Sequence, residues 1–194
     1  MRFLKMKILV LSDIHYPISD SKLIKRILSR EKPQKLVLLG DIINDKGYAK
    51  KFFSLIPKRL KKQTYFVQGD EDRVKADYDM LKLEDAGKKF IFIHGHQFNV
   101  MHSEKTTYFL ATVFKLFNYA LPLFAFALKA RKKLALTDEY LFLGHSHGLK
   151  RFKSIKTICC GTLSNLDIVY KDKGYVVISD GKIELKTTGG KPVI

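Results

Sequence analysis

Residues 7–15 read KILVLSDIH. Four apolar residues, Ile8 to Leu11, end abruptly at Ser12, Asp13 and His15. The arrangement recurs four times. Lys35 to Leu39 stops at Gly40-Asp41, and Gln63 to Gln68 stops at Gly69-Asp70. Lys89 to Ile93 stops at His94-Gly95-His96, and Glu139 to Leu143 stops at Gly144-His145-Ser146-His147. Short β-rich runs bounded by glycine and polar residues read as strands. Between the early runs, Ser21 to Arg30 sets Leu23, Ile24, Ile27 and Leu28 on one helical face, and Tyr48 to Lys58 carries a second helical pattern. Strands alternating with helices predict an α/β fold. From Ile155 onward helical patterns stop, and an antiparallel, hairpin-rich continuation is expected, with turns at Asp172-Lys173-Gly174 and Asp180-Gly181.

The 194 residues suffice for a single domain, 1–194, with a full core. Thirty-six Lys and Arg against 19 Asp and Glu give a net charge of +17. Such an excess favours polyanionic partners, namely nucleic acid, anionic lipid or phosphorylated substrates, or else forms a solvated lysine-rich surface. No basic stripe interleaved with aromatics is evident, which places nucleic acid behind the others. Cys159 and Cys160 are adjacent, so on a strand they point to opposite faces and make no disulfide. A reducing, cytoplasmic setting is expected. The opening MRFLKMKILVLSDIH is too short in its apolar run for a signal peptide.

Five of the six histidines and three aspartates sit at the ends of the β-rich runs: His15, His94, His96, His145 and His147, with Asp13, Asp41 and Asp70. Ligands in open α/β sheets bind outside the carboxyl ends of strands, so these residues are expected at one edge. Imidazole and carboxylate together suit manganese, iron, zinc or nickel, and the donors are too many for one ion. A carboxylate such as Asp41 can bridge two ions, the usual clamp for displacement at phosphorus.

The ordered set resembles the calcineurin-like metallophosphoesterases, whose pattern is D-x-H, G-D, G-N-H-D/E, H-G-H and G-H-x-H. It stands here as Asp13/His15, Gly40-Asp41, Gly69-Asp70-Glu71-Asp72, His94-Gly95-His96 and Gly144-His145-Ser146-His147. The resemblance implies an α-β-β-α sandwich with two divalent metal ions at its strand ends, manganese first, with iron, zinc or nickel as alternatives. It implies Asp13, His15 and His147 on one ion, Asp70, His94 and His145 on the other, and Asp41 between them. It further implies hydrolysis of a phosphodiester, phosphomonoester or pyrophosphate by a metal-bridging hydroxide. Two positions depart from the pattern. Position 70 is normally Asn and is Asp here; position 71 is normally His and is Glu here. Glu71 and His96 are therefore the two candidates for the proton-handling role. The departures also admit a different class of function, a non-catalytic metal-binding or protein-interaction module, as in the retromer subunit of this fold, and a nucleotide or nucleic-acid phosphodiesterase would share the same site.

The interval from 102 to 137 is expected to be a helical insert. Tyr108 to Leu128 carries one charge, Lys115, and is followed by Lys129, Arg131, Lys132 and Lys133. A single membrane span would separate His94 from His145, and Pro122 favours two shorter helices. Segment 108–133 is expected to cover the sheet, a homodimer interface or the active site, or to lie on an anionic membrane surface. The last option resembles, in position and composition, the lipid-facing insert of the UDP-2,3-diacylglucosamine hydrolases. The expected partner is thus a phosphorylated small molecule or a lipid headgroup, and the expected location is cytoplasmic with peripheral membrane contact.

Overall fold

The computed structural model describes residues 6–98, 112–114, 118–166 and 169–193. Among the described residues, ten strands form two five-stranded sheets. The first contains β1 (Lys7–Leu11), β2 (Lys35–Leu39), β3 (Thr64–Val67), β9 (Gly174–Ser179) and β10 (Lys182–Thr187), in the order β10-β9-β1-β2-β3. The second contains β4 (Met80–Asp85), β5 (Lys88–Ile93), β6 (Tyr140–Leu143), β7 (Leu149–Phe152) and β8 (Thr157–Cys160), in the order β4-β5-β6-β8-β7. Strands β1, β2 and β3 run parallel, as do β5, β6 and β8. Their carboxyl ends carry the polar motifs.

Alternation along the strands divides the core into three layers. Ile8, Val10, Val37 and Leu39 face Phe90, Phe92, Phe142 and Ile158 between the sheets. Leu9, Leu11, Leu36 and Leu38 face α1 (Ser21–Glu31) through Ile24, Ile27 and Leu28. Ile91, Ile93, Leu141 and Leu143 face α4 (Leu121–Lys133) through Leu123, Phe126, Ala127 and Ala130. Strands buried on both faces read as continuous apolar runs, and two helix-covered sheets packed face to face give the four-layer α-β-β-α sandwich. Cys160 lies in the inter-sheet layer and Cys159 in the layer under α4, both free, as opposite-facing neighbours should.

α1 begins where the Asp20 side chain accepts from Lys22 N–H at 2.8 Å and ends on Lys32 in the left-handed region. It is tied to β9 and β10 by buried Glu31, which accepts from the Tyr175 hydroxyl at 2.7 Å and from Lys186 at 3.2 Å.

The structure corrects two expectations. Tyr48–Lys58 is not one helix: it is a 3₁₀ turn (Lys46–Tyr48), then α2 (Ala49–Ser54) and α3 (Lys58–Lys61). Pro57 stands between them, where its missing N–H and its restriction on Ile56 stop the first helix. Asp172-Lys173-Gly174 is not a hairpin turn; Lys173 bridges Thr162 and leads straight into β9. Asp180-Gly181, both at positive φ, does turn β9 into β10. Strands β4 and β7 are additional. β4 alternates buried and exposed residues and joins β5 through Ala86-Gly87. Of the insert, 102–111 and 115–117 lie outside the described residues. Helix α4 starts with Pro122 in its first turn, a position where the missing N–H costs nothing.

Candidate metal centre

The loops after β1 and β2 leave the sheet zipped together. Asp13 N–H donates to Gly40 O at 3.1 Å, His15 N–H to Asp41 O at 2.8 Å and Tyr16 N–H to Ile42 O at 2.8 Å. Across the sandwich, Gly144 N–H donates to His94 O at 3.0 Å, joining the loops after β5 and β6. Asp13, His15, Asp41, His145 and His147 all have φ between +49° and +59°. Left-handed backbone is tolerated by Asp and His better than by most residues. Its concentration at five strand-end positions marks a functional locus, because such strain persists only where surroundings impose it. The glycines make room. A Cβ on Gly40 would fall 2.3 Å from the His94 ring, and one on Gly69 would fall 2.2 Å from Asp41 N.

All seven candidate ligands converge. Asp41, Asp70, His94 and His145 form one group of potential ligand atoms within 4.8 Å of one another, and Asp13, His15 and His147 form a second. In the first, Asp70 Oδ1 lies 3.2 Å from His94 Nδ1 and 3.5 Å from His145 Nδ1, while Asp41 Oδ2 lies 3.6 Å from His94 Nε2. In the second, Asp13 Oδ1 lies 3.1 Å from His147 Nε2, and the Nε2 atoms of His15 and His147 are 3.2 Å apart. Asp41 Oδ2 is also 4.0 Å from His15 Nε2, so it stands between the groups.

Electrostatics favour a cation here. Burial, with Asp13 and Asp70 nearby, pushes the Asp41 carboxyl up to about 7. Asp13 is fully buried, which opposes its charge, yet His147 and His94 hold its pKa well below the carboxylate range. Asp70 is likewise held low against its burial by His145 and His94. Imidazole nitrogens 3.2 Å apart, beside three clustered carboxylates, need a proton or a metal ion between them. The donor set therefore fits divalent metal.

Two further predicted residues lie at the rim. His96 is 30 % exposed, with Nδ1 3.6 Å from Asp70 Oδ1. Glu71 is 53 % exposed, and its Oε2 is 3.2 Å from His15 Nδ1. Asn44, which the sequence reading missed, lies 3.2 Å from the same His15 nitrogen and donates to Glu71 Oε2 at 3.1 Å. Its only signal was its place three residues after Asp41.

Asp72, the third acid of this stretch, is engaged by backbone amides. Its carboxylate accepts four backbone N–H groups, from Asp41, Ile42, Ile43 and Gly69, at 2.7–2.9 Å. Burial raises its pKa nonetheless. It is the clasp that holds the Asp41 loop against the Asp70 loop. Asp72→Ala leaves several buried donors without an acceptor, each costing about 1–3 kcal/mol. A Tm lower by roughly 10 °C, corresponding to about 3 kcal/mol, is expected by calorimetry of the metal-free chain. An unchanged Tm would mean that the clasp carries no stability.

The solved structures similar to this chain share its architecture. A conserved uncharacterized protein of Streptococcus pneumoniae, described as a predicted phosphoesterase, superposes with a TM-score of 0.57 at 19% identity, over 98% of this chain and 94% of that one. YfcE, a phosphoesterase from E. coli, gives 0.61 at 16% identity over 97% of each chain. Vps29 of Entamoeba histolytica, solved in complex with zinc, gives 0.56 at 17% identity, over 93% of this chain and 90% of that one. At such identities the likeness speaks for the fold. No curated protein matches the sequence. The model of the calcineurin-like phosphoesterase superfamily domain matches residues 6–191, nearly the whole chain. The chain belongs to that superfamily, whose members bind divalent metals.

Proposed function

We propose that the chain is a two-metal phosphoesterase that cleaves a phosphodiester, phosphomonoester or pyrophosphate bond. One observation supports this above the rest: two groups of ligand atoms, each within 4.8 Å, adjoin at Asp41, whose Oδ2 lies 3.6 Å from His94 Nε2 and 4.0 Å from His15 Nε2. Asp13, His15 and His147 would hold one ion, and Asp70, His94 and His145 the other, with Asp41 shared. Manganese is the first expectation; zinc, seen with the Entamoeba Vps29, is the first competitor. Bound divalent ions supply Lewis acidity and make hydroxide available near neutral pH.

The remaining residues orient and buffer. Glu71 and Asn44 both reach His15 Nδ1. A hydrogen bond there fixes the tautomer and turns the Nε2 lone pair toward the centre. Glu71 thus acts through His15, and the proton for the leaving oxygen is left to His96 at the rim. Asp70 brings a third carboxylate where the family pattern has a neutral amide, which tightens metal binding and lowers Lewis acidity.

Hydrolysis of bis-p-nitrophenyl phosphate with added Mn²⁺ tests this reading. Metal-dependent turnover is expected. Asp70→Asn should hold or raise turnover at saturating metal, while the metal concentration for half activity rises about tenfold. Asp70→Ala should lose both. Tight metal binding without turnover on any phosphoester would favour the non-catalytic module, which the Asp70-Glu71 spelling also suits.

A further inference from the structure

Helix α4 has two unlike faces. Its inner face is buried on the second sheet and reaches the candidate centre: Leu123 packs where a Cβ on Gly148 would stand, and Phe126 lies against Gly95, its ring 6.3 Å from that of His145. Its outer face is also apolar over the first turns. Leu121 is 45 % exposed and Ala125 is exposed, while Phe124 and Leu128 are partly so. Nearby, Phe114 is 46 % and Tyr119 is 41 % exposed. A helix that is apolar all round is normally covered on all sides.

The outer face passes directly into cations. The last turn carries Arg131, Lys132 and Lys133, with Lys132 and Lys133 exposed. Phe124 stacks edge-on against Phe152 at 5.3 Å, and exposed Lys153 follows. The acids in this region are already engaged. Asp138 pairs with Lys156, and Glu139 accepts the N–H groups of Thr137 and Asp138. No described helix is long and apolar enough to cross a membrane.

We infer that α4 is an interfacial helix, docking its outer face on an anionic lipid surface. An apolar stripe flanked by lysines, on a chain of charge +17, matches both layers of such a surface: Leu121, Phe124 and Leu128 toward the acyl boundary, Lys132, Lys133 and Lys153 on the headgroup phosphates. A docked chain would hold His145 about one helix diameter, roughly 10 Å, from the lipid. The inference goes beyond the phosphoesterase reading and does not depend on it, since its test reads binding.

The test is sedimentation of the full chain with phosphatidylcholine vesicles, with or without phosphatidylglycerol. Recovery with the anionic vesicles is expected to exceed that with neutral ones by at least about tenfold and to fall as salt rises from about 50 to 500 mM. Lys132→Glu with Lys133→Glu should lower partitioning by about tenfold or more. Leu121→Glu with Leu128→Glu should abolish it, with Tm unchanged in each pair. Equal recovery with both vesicle types, or a charge-reversed pair that binds as the parent does, would overturn the inference. So would a stable dimer in sedimentation velocity that Leu121→Glu dissolves, because the outer face would then belong to a second copy.

Discussion

Asp41→Asn should reduce metal-dependent turnover by at least a hundredfold, toward 10³, on the order expected when transition-state charge loses a stabilising partner. The substitution keeps the shape and removes the charge from a carboxylate placed between the two ligand groups, 3.6 Å from His94 Nε2 and 4.0 Å from His15 Nε2. Stability should move the other way. Burial, reinforced by Asp13 and Asp70, raises the Asp41 pKa from the ordinary carboxylate value to about 7. A carboxyl raised in the folded state binds more protons there than in the unfolded chain. Its contribution therefore falls as pH rises from about 4 to about 7. Metal-free parent protein should lose stability across that window, and Asp41→Asn should lose less. Added Mn²⁺ should restore the parent and restore the variant poorly. Thermal unfolding at pH 5 and pH 8, with metal and with chelator, checks all four cases. A variant that keeps parental turnover would remove Asp41 from the centre.

Gly40→Ala should cost more than any surface substitution in the chain, about 3–5 kcal/mol, from left-handed strain and overpacking together. Gly40 has φ +72°, and its new Cβ would stand 2.3 Å from His94 Cδ2. The ring cannot retreat, since it is fully buried and held by Asp13 and Asp70. Against a total stability of about 5–15 kcal/mol, much of the chain's margin would go. Gly87→Ala is the control. Gly87 has almost the same φ, +71°, with nothing within 4 Å of the added carbon. It should cost only about 1 kcal/mol, the strain alone. Equal losses for the two variants, by denaturant unfolding, would show that contact with His94 contributes nothing.

The strand ends were legible because two independent signals coincide there. Lys7–Leu11 and Lys35–Leu39 match their predicted bounds because β-branched and leucine-rich runs buried on both faces stop sharply at polar turns. The convergence of Asp13, His15, Asp41, Asp70, His94, His145 and His147 followed from parallel strands sharing a carboxyl edge. What stayed hidden was whatever depends on side-chain direction within a loop. Asp70, Glu71 and Asp72 are consecutive acids, yet one faces three imidazoles, one faces His15 Nδ1, and one turns back to four amides. No spacing rule distinguishes them, since each direction is set by the neighbouring loop. β4 escaped for another reason. It is an edge strand with one face in solvent, so its apolar content is thin and its pairing with β5 decides it.

The central claim is a shared two-ion centre, and the most direct measurement of it is anomalous diffraction from crystals grown with excess Mn²⁺. The expected result is two peaks per chain, about 3.5–4 Å apart. One should lie among Asp13, His15 and His147, the other among Asp70, His94 and His145, with an Asp41 oxygen reaching both. A single peak at saturating metal, or His94 and His147 more than about 10 Å apart in the metal-bound crystal, would contradict it.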